Sequence, residues 1–294
     1  NDEIDARIDL TDEEKTAAKA EAKAKADAAK EGIDIATTNA EIDQVKKNGT
    51  IEVTSVNPEA EAKTEAKEAI DKALKSKNDE IDTRTDLTDE EKTVAKAEAK
   101  AKADAAKEAI DKATTNAEVE QAKTTGVTEV ASVNPKALVK SAAKKAIDDK
   151  LAEQLKAIAN TPDATDEEKK AAANLAKQLA EVAKKAIDAA RENADVKKLQ
   201  DDSKVGIEEA VPFVEDKPNA RKAIDAEVKV KKEAIDARTD ISDKVKELLK
   251  AEVDEIAAQA KKAIDAASSV DEINKIEEAK KLEIKAVEEV RVPA

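Results

Sequence analysis

The sequence predicts an all-α protein made of tandem three-helix bundles stacked end to end into an elongated rod. Three observations predict it. The first is composition: of 294 residues, 62 are alanine and 41% are charged, with only 4 glycines and 6 prolines. Ala, Lys and Glu lose little side-chain freedom in a helix, and such a mixture marks long helices. The second is a register of 77 residues that runs through the whole chain. The third is a set of helix-start signals that recur at fixed places within that register. High charge with few large apolar residues also suits a disordered chain, but disordered chains are rich in the Pro and Gly that are scarce here.

The register rests on three markers. Asp9-Leu10-Thr11-Asp12-Glu13-Glu14-Lys15 returns as Asp86-Leu87-Thr88-Asp89-Glu90-Glu91-Lys92, then as Asp163-Ala164-Thr165-Asp166-Glu167-Glu168-Lys169, and in worn form as Asp240-Ile241-Ser242-Asp243. Ile-Asp falls at Ile33, Ile110, Ile187 and Ile264, and Ala-Ile-Asp at Ala69, Ala146 and Ala223, in the same step. Residues 1–58 and 78–135 agree at 45 of 58 aligned positions, so the first two units are recent copies. The units are read as residues 1–57, 58–134, 135–211 and 212–294. The first lacks most of its first helix, and the chain, which starts without Met, reads as a piece of something longer.

Each unit carries three helices. Asn57-Pro58 and Asn134-Pro135 set an N-cap acceptor before a proline at the first helical position, so helix 1 is expected from about 58 to 84 in the second unit. Its apolar residues Ala62, Ala66, Ile70, Leu74 and Ile81 keep helical spacing. Thr11 with Glu14, and Thr88 with Glu91, form capping boxes that open helix 2, and their acidic first turn suits the helix dipole. Segment 16–30 partly alternates, yet Ala, Lys and Glu are poor strand residues. The diverged copies, with Leu175, Leu179 and Val182 or Val245, Leu249 and Val253, read as helix and as the apolar stripe. Helix 3 opens at Ala40-Glu41-Ile42 and is expected to fray or kink near Gly49 and Gly126; its fourth copy reads as a plain helix from about Asp271 to Val290.

One amphipathic helix cannot bury its stripe alone, so three form an up-down-up bundle. Three is odd: the chain enters at one end and leaves at the other, and units therefore add end to end. Helices of about 25 residues span roughly 38 Å, so nearly four units suggest a rod on the order of 150 Å. The alanine stripes of units one and two predict cores weaker than those of units three and four.

Composition excludes several chemistries. With no His or Cys, no zinc, haem or iron–sulfur site can be assembled from side chains, and neither His acid–base catalysis nor a Cys nucleophile is available. A net charge of −15 and a single aromatic, Phe213, argue against nucleic acid. No apolar run is long enough to span a bilayer. The Thr-Asp-Glu-Glu clusters could be taken as calcium loops, but they lack the alternating ligands and glycine of an EF-hand, and capping accounts for them. Carboxylate pairs such as Asp148-Asp149 lie on a solvated face with no pocket. The reading is of no catalytic, metal or cofactor residue and of a monomer. Phe213, beside Pro212 and before Pro218, is expected to plug the passage from unit three to unit four, with a binding anchor as the alternative, and this stretch is the candidate for a bend.

The Asp-Leu-Thr-Asp-Glu-Glu-Lys box, the Ala-Lys-Ala-Glu-Ala-Lys helix, Ala-Ile-Asp, the stretch Ala113-Thr114-Thr115-Asn116-Ala117-Glu118-Val119 and Val133-Asn134-Pro135 together resemble the alanine-rich repeats of Gram-positive cell-wall-anchored surface proteins. The closest likeness is to the family called domain of unknown function 1542. It covers nearly the whole chain, most clearly residues 1–135. The resemblance implies stalks that carry an adhesive domain away from the wall, in proteins linked to attachment and biofilm, and it brings no catalytic residues. It leaves a host or bacterial surface protein as the open partner. The alternative is a bundle that itself grips a host protein through an exposed helix face. No secretion signal or sorting motif stands in the sequence, so a surface location rests on the resemblance.

Overall fold

A computed structural model describes residues 1–287. Twelve helices and no strand occur among the described residues, in two units, Asn1–Leu138 and Val139–Ala294. The chain is all-α, and its helices form successive bundles in the 77-residue register, as composition and repeats predict. In the first unit, α1 (Asp2–Asp5) is a single turn against α2 (Asp12–Ile35), which pairs with α3 (Asn39–Thr54). Then α4 (Glu61–Thr83), α5 (Asp89–Lys112) and α6 (Asn116–Ala131) close a bundle in which every helix touches the other two. The second unit holds α7 (Leu138–Ala159), whose first residue is the last of the first unit, α8 (Asp166–Ala189) and α9 (Asn193–Glu208), followed by α10 (Asp216–Asp236), α11 (Asp243–Ala266) and α12 (Val270–Ala286). Val290, the expected end of the last helix, lies outside the described residues.

The Ile-Asp markers show how each bundle is built. Ile70, Ile110, Ile147, Ile187, Ile224 and Ile264 are fully buried, each contributing roughly 1.5–3 kcal/mol of apolar burial. The Asp beside each Ile reaches the neighbouring helix: Asp71 pairs with Lys107 and Asp111 with Lys67, and in the next copy Asp148 pairs with Lys184 (2.9 Å) and Asp188 with Lys144 (2.8 Å). A Lys–Asp step of four residues on each of two antiparallel helices produces this reciprocal crossing. Such exposed pairs set register more than they stabilise, at ~0–1 kcal/mol each.

The core stripe of helix 2 differs from expectation. In α8 the buried face is Ala172, Ala176, Ala180, Ala183 and Ile187, the same positions as Ala95, Ala99, Ala103, Ala106 and Ile110 in α5. Leu175 and Val182 point outward and Leu179 lies at the margin. In the first two repeats close helix approach accounts for the alanines: a Cβ on Gly126 would stand 2.4 Å from Ala106 Cβ and 2.7 Å from Ile70 Cδ1, and one on Gly49 would stand 2.4 Å from Ala29 Cβ, whereas the third repeat carries Ser203 at that place. The same contacts correct the reading of helix 3. It runs unbroken through Gly49 and Gly126, which serve close packing and are not points of fraying.

Candidate functional site at the joints between repeats

Two joints lie wholly within a single unit, repeat one to two and repeat three to four. Both are built on the Thr-Asp-Glu-Glu box. Thr11 accepts the Glu14 N–H (3.3 Å) while Glu14 Oε1 accepts the Thr11 N–H (2.9 Å), and Thr88–Glu91 and Thr165–Glu168 repeat this. The box then does more than cap its own helix. Asp12 N–H donates to Thr114 O (2.8 Å), in the α5–α6 turn of the next repeat, and Asp166 N–H donates to Ser268 O (2.8 Å) at the matching place. Glu13 Oε2 accepts the Asn116 N–H (2.8 Å), and Glu167 Oε2 the Val270 N–H (3.0 Å). Glu14 Oε2 accepts the Ala62 N–H (3.1 Å), and Glu168 Oε2 accepts those of Glu215 (2.7 Å) and Asp216 (3.0 Å).

One carboxylate thus serves two helix N-termini, its own and that of helix 1 in the following repeat, each of which has orphan N–H groups and a positive dipole end. This corrects the placing of Asn57, Pro58, Asn134 and Pro135. The helices begin at Glu61 and Leu138, so these residues precede them in a non-helical linker and cap nothing. The acceptor comes from the previous box instead: Leu138 N–H reaches Glu91 Oε2 at 3.0 Å. The prolines serve through their carbonyls, Pro58 O accepting from Arg7 (2.5 Å) and Pro135 O from Arg84 (2.6 Å).

Three lysines that sequence reasoning passed over stand beside the joints. Lys63, Lys140 and Lys217, 77 residues apart, are 4%, 3% and 6% exposed. Each sits near the start of helix 1 and donates to the last turn of helix 2: to Asp111 O (2.8 Å), Asp188 O (2.7 Å) and Asp265 O (2.8 Å). Lys63 also donates to Ile8 O of the preceding repeat at 3.0 Å. A cation at a helix C-terminus is favoured by the dipole, and buried charges demand such partners. At the opposite end of helix 1, Gln154 donates to Ala210 O (2.8 Å) and Lys231 to Lys285 O (2.6 Å), closing helix 3. These contacts place helix 2 antiparallel and helix 3 parallel to helix 1. The recurrence of Lys at one register position was the available signal. Thr38–Glu41 and Thr115–Glu118 likewise cap helix 3, and their Thr-x-x-Glu spacing was legible.

Electrostatics follow the geometry. The Arg7 guanidinium holds the Asp9 carboxyl below its usual range, and Arg221 does the same for Asp163. Burial pushes the Glu168 carboxyl up, but the N–H groups of Glu215, Thr165 and Asp216 outweigh it and leave it lowered.

Phe213 does not plug the passage between repeats; it is 76% exposed. The segment before α10 is not helical, and its side chains alternate: Ala210 and Pro212 turn inward while Val211 and Phe213 turn out. No helix among the described residues is long and apolar enough to cross a membrane, and no group of three or more potential metal-binding side chains is found among them.

Comparison with known proteins agrees with this architecture. Extracellular matrix-binding protein EbhA of Staphylococcus aureus strain Mu3 is 28% identical over 283 residues, covering 96% of this chain but 4% of that protein. The extracellular matrix-binding protein ebh of strain JH9 is 28% identical over 96% of this chain and 3% of its own length, and EbhA of strain Newman 27% over 96% and 8%. The chain therefore spans under a tenth of the relatives it matches. No solved structure matches it. The relatives are named as extracellular matrix-binding proteins of a Gram-positive bacterium, in keeping with helical repeats of a surface protein. The model of the family described as Domain of Unknown Function (DUF1542) matches residues 1–61, 62–138, 139–215 and 216–292, and the chain belongs to that family.

Proposed function

We propose that these repeats are a structural stalk of a bacterial surface adhesin, spacing a distal binding domain from the cell wall. The observation that carries this reading is the joint. The same box meets the next repeat through backbone groups at both ends of its reach, in the same register, at the two joints within single units. A contact made to backbone atoms is indifferent to surface sequence, so copies can diverge on their faces and still add on. An odd number of helices carries the chain forward with each copy.

Small-angle scattering on the whole chain tests it. A globule of 294 residues has a radius of gyration of about 19 Å, whereas a rod of ~150 Å has one of about 40 Å. A value near the lower figure sinks the stalk. The second reading, a bundle that itself binds a matrix protein, is favoured by the relatives' description and by the exposed Leu175 and Val182, seven residues apart on α8. Binding to immobilised matrix proteins that is lost in Leu175→Lys/Val182→Lys, with helix content kept, supports that reading over a passive spacer.

A further inference from the structure

We propose that Arg221 is a pairing residue that fixes the fourth repeat behind the third, supplying across the joint a guanidinium that the other repeats supply from within. The aspartate ahead of each box needs one. In three repeats an arginine two residues earlier forks onto it: Arg7 onto Asp9 (3.0 and 2.7 Å), Arg84 onto Asp86 (3.0 and 2.7 Å) and Arg238 onto Asp240 (2.9 and 2.6 Å). In the third repeat that arginine is gone. Thr161 stands in its place, followed by Pro162, and its hydroxyl turns back to Ala157 O (3.1 Å). Asp163 takes a left-handed backbone conformation, φ 66°, and both its carboxylate oxygens receive Arg221 from α10, one of them at 3.0 Å.

The matching position in the second and third repeats is a lysine. Lys67 pairs with Asp111 and Lys144 with Asp188, the counterparts of Asp265. Arg221 keeps that pairing, with Nη1 at 2.6 Å from Asp265 Oδ1, and adds the fork onto Asp163. A planar guanidinium can hold two carboxylates in this way, whereas an amine is a point donor on a mobile stem. The chain therefore holds a compensated exchange: Arg at the first position with Lys at the second, or Thr with Arg.

A second contact is keyed the same way. The Thr11 and Thr88 hydroxyls donate to their own box glutamates (3.2 Å each), but Thr165 Oγ1 donates across the joint to Asp216 Oδ2 (2.7 Å). Asp216 replaces Ala62 and Val139 of the earlier copies. Joint three–four thus adds to the shared backbone contacts two side-chain contacts that only this pair of repeats can make. Repeat order at this point is written in the residues and is not set by chain connectivity alone.

Native-state hydrogen exchange on the whole chain tests the proposal, read at the Asp166, Asp216 and Val270 amides, whose acceptors lie across this joint. R221K is expected to speed these amides about tenfold and to leave Asp12, in joint one–two, unchanged. Rebuilding the Arg-Thr-Asp of residues 84–86 at 161–163, as T161R/P162T/R221K, is expected to restore protection. D163N is expected to match R221K, with no further loss in D163N/R221K. Slow exchange at Ile187 and Ile224 reports that both bundles stay folded. Exchange in R221K within twofold of the parent overturns the proposal, as does a further loss when the two single changes are combined.

Discussion

Lys63→Met is the sharpest test of what holds repeat one to repeat two. The side chain is 4% exposed, and its amine donates to Ile8 O at 3.0 Å and Asp111 O at 2.8 Å, one acceptor on each side of the joint. Methionine keeps much of the buried stem and removes both donors. Each carbonyl left without a partner costs about 1–3 kcal/mol. In the other direction, methionine escapes the desolvation of a buried charge, which is several kcal/mol for an ion without partners. Here the amine has two carbonyl partners, one of them at the negative end of α5, so desolvation is already largely offset. The expected net loss is about 2 kcal/mol, or roughly thirtyfold in an equilibrium constant. The assay is native-state hydrogen exchange on the whole chain at Asp12, which donates to Thr114 O across the joint, and at Ala113, which ends α5. Unchanged or slower exchange at Asp12 would refute the reasoning, because it would mean that burying the amine costs more than its two bonds return.

The remaining predictions are local. Asn78 Oδ1 is buried with no hydrogen-bond partner, at the position where the third repeat packs Leu155 against its core; Asn78→Leu is expected to raise the stability of the α4–α6 bundle by about 1–3 kcal/mol in urea denaturation. Gly126→Ala is expected to cost about 1–3 kcal/mol by forcing α6 away from Ala106 and Ile70, while Gly206→Ala, with nothing within 4 Å, is expected to gain about 0.5–1 kcal/mol. The carboxyls of Asp163 and Glu168 are lowered in the folded chain. A lowered group adds stability above its unfolded value, and that stability is lost as the pH falls through the folded value. Protection of the Asp216 amide is therefore expected to be full near neutrality and to fall below about pH 4.5, where an unfolded glutamate begins to bind protons, with Glu168→Gln abolishing its part of the dependence.

Much of the fold was legible because repetition shows what the sequence holds constant. Ile70, Ile147 and Ile224 could be read as core from spacing alone, and Thr11 with Glu14 as a cap from the box. The α8 stripe was not legible. Leu175 and Val182 are larger than Ala172 and Ala176, and hydrophobicity alone points to them as the inner face. Helix separation accounts for the alanines of α5, where Gly126 meets Ala106; α8 keeps the same face although Ser203 stands at the glycine's place and Val253 fills the matching site of α11. Phe213 was not legible either. A lone aromatic beside prolines suggests a plug, but in a non-helical segment alternate residues face opposite ways, and the inward places went to Ala210 and Pro212.

By itself the sequence determined the helical class, the 77-residue unit, its three helices and the absence of any His or Cys chemistry, since propensity, spacing and side-chain inventory are local properties. Only the tertiary structure decided what the box is for. Glu13 and Glu14 are adjacent in sequence, yet one accepts from Asn116 and the other from Ala62, partners about a hundred and about fifty residues away. The burial of Lys63, the second helix served by Glu14 and the crossing of Arg221 to Asp163 are decided the same way. Each depends on a helix end of one repeat being brought against a helix start of the next, and that proximity exists only once the bundles have closed.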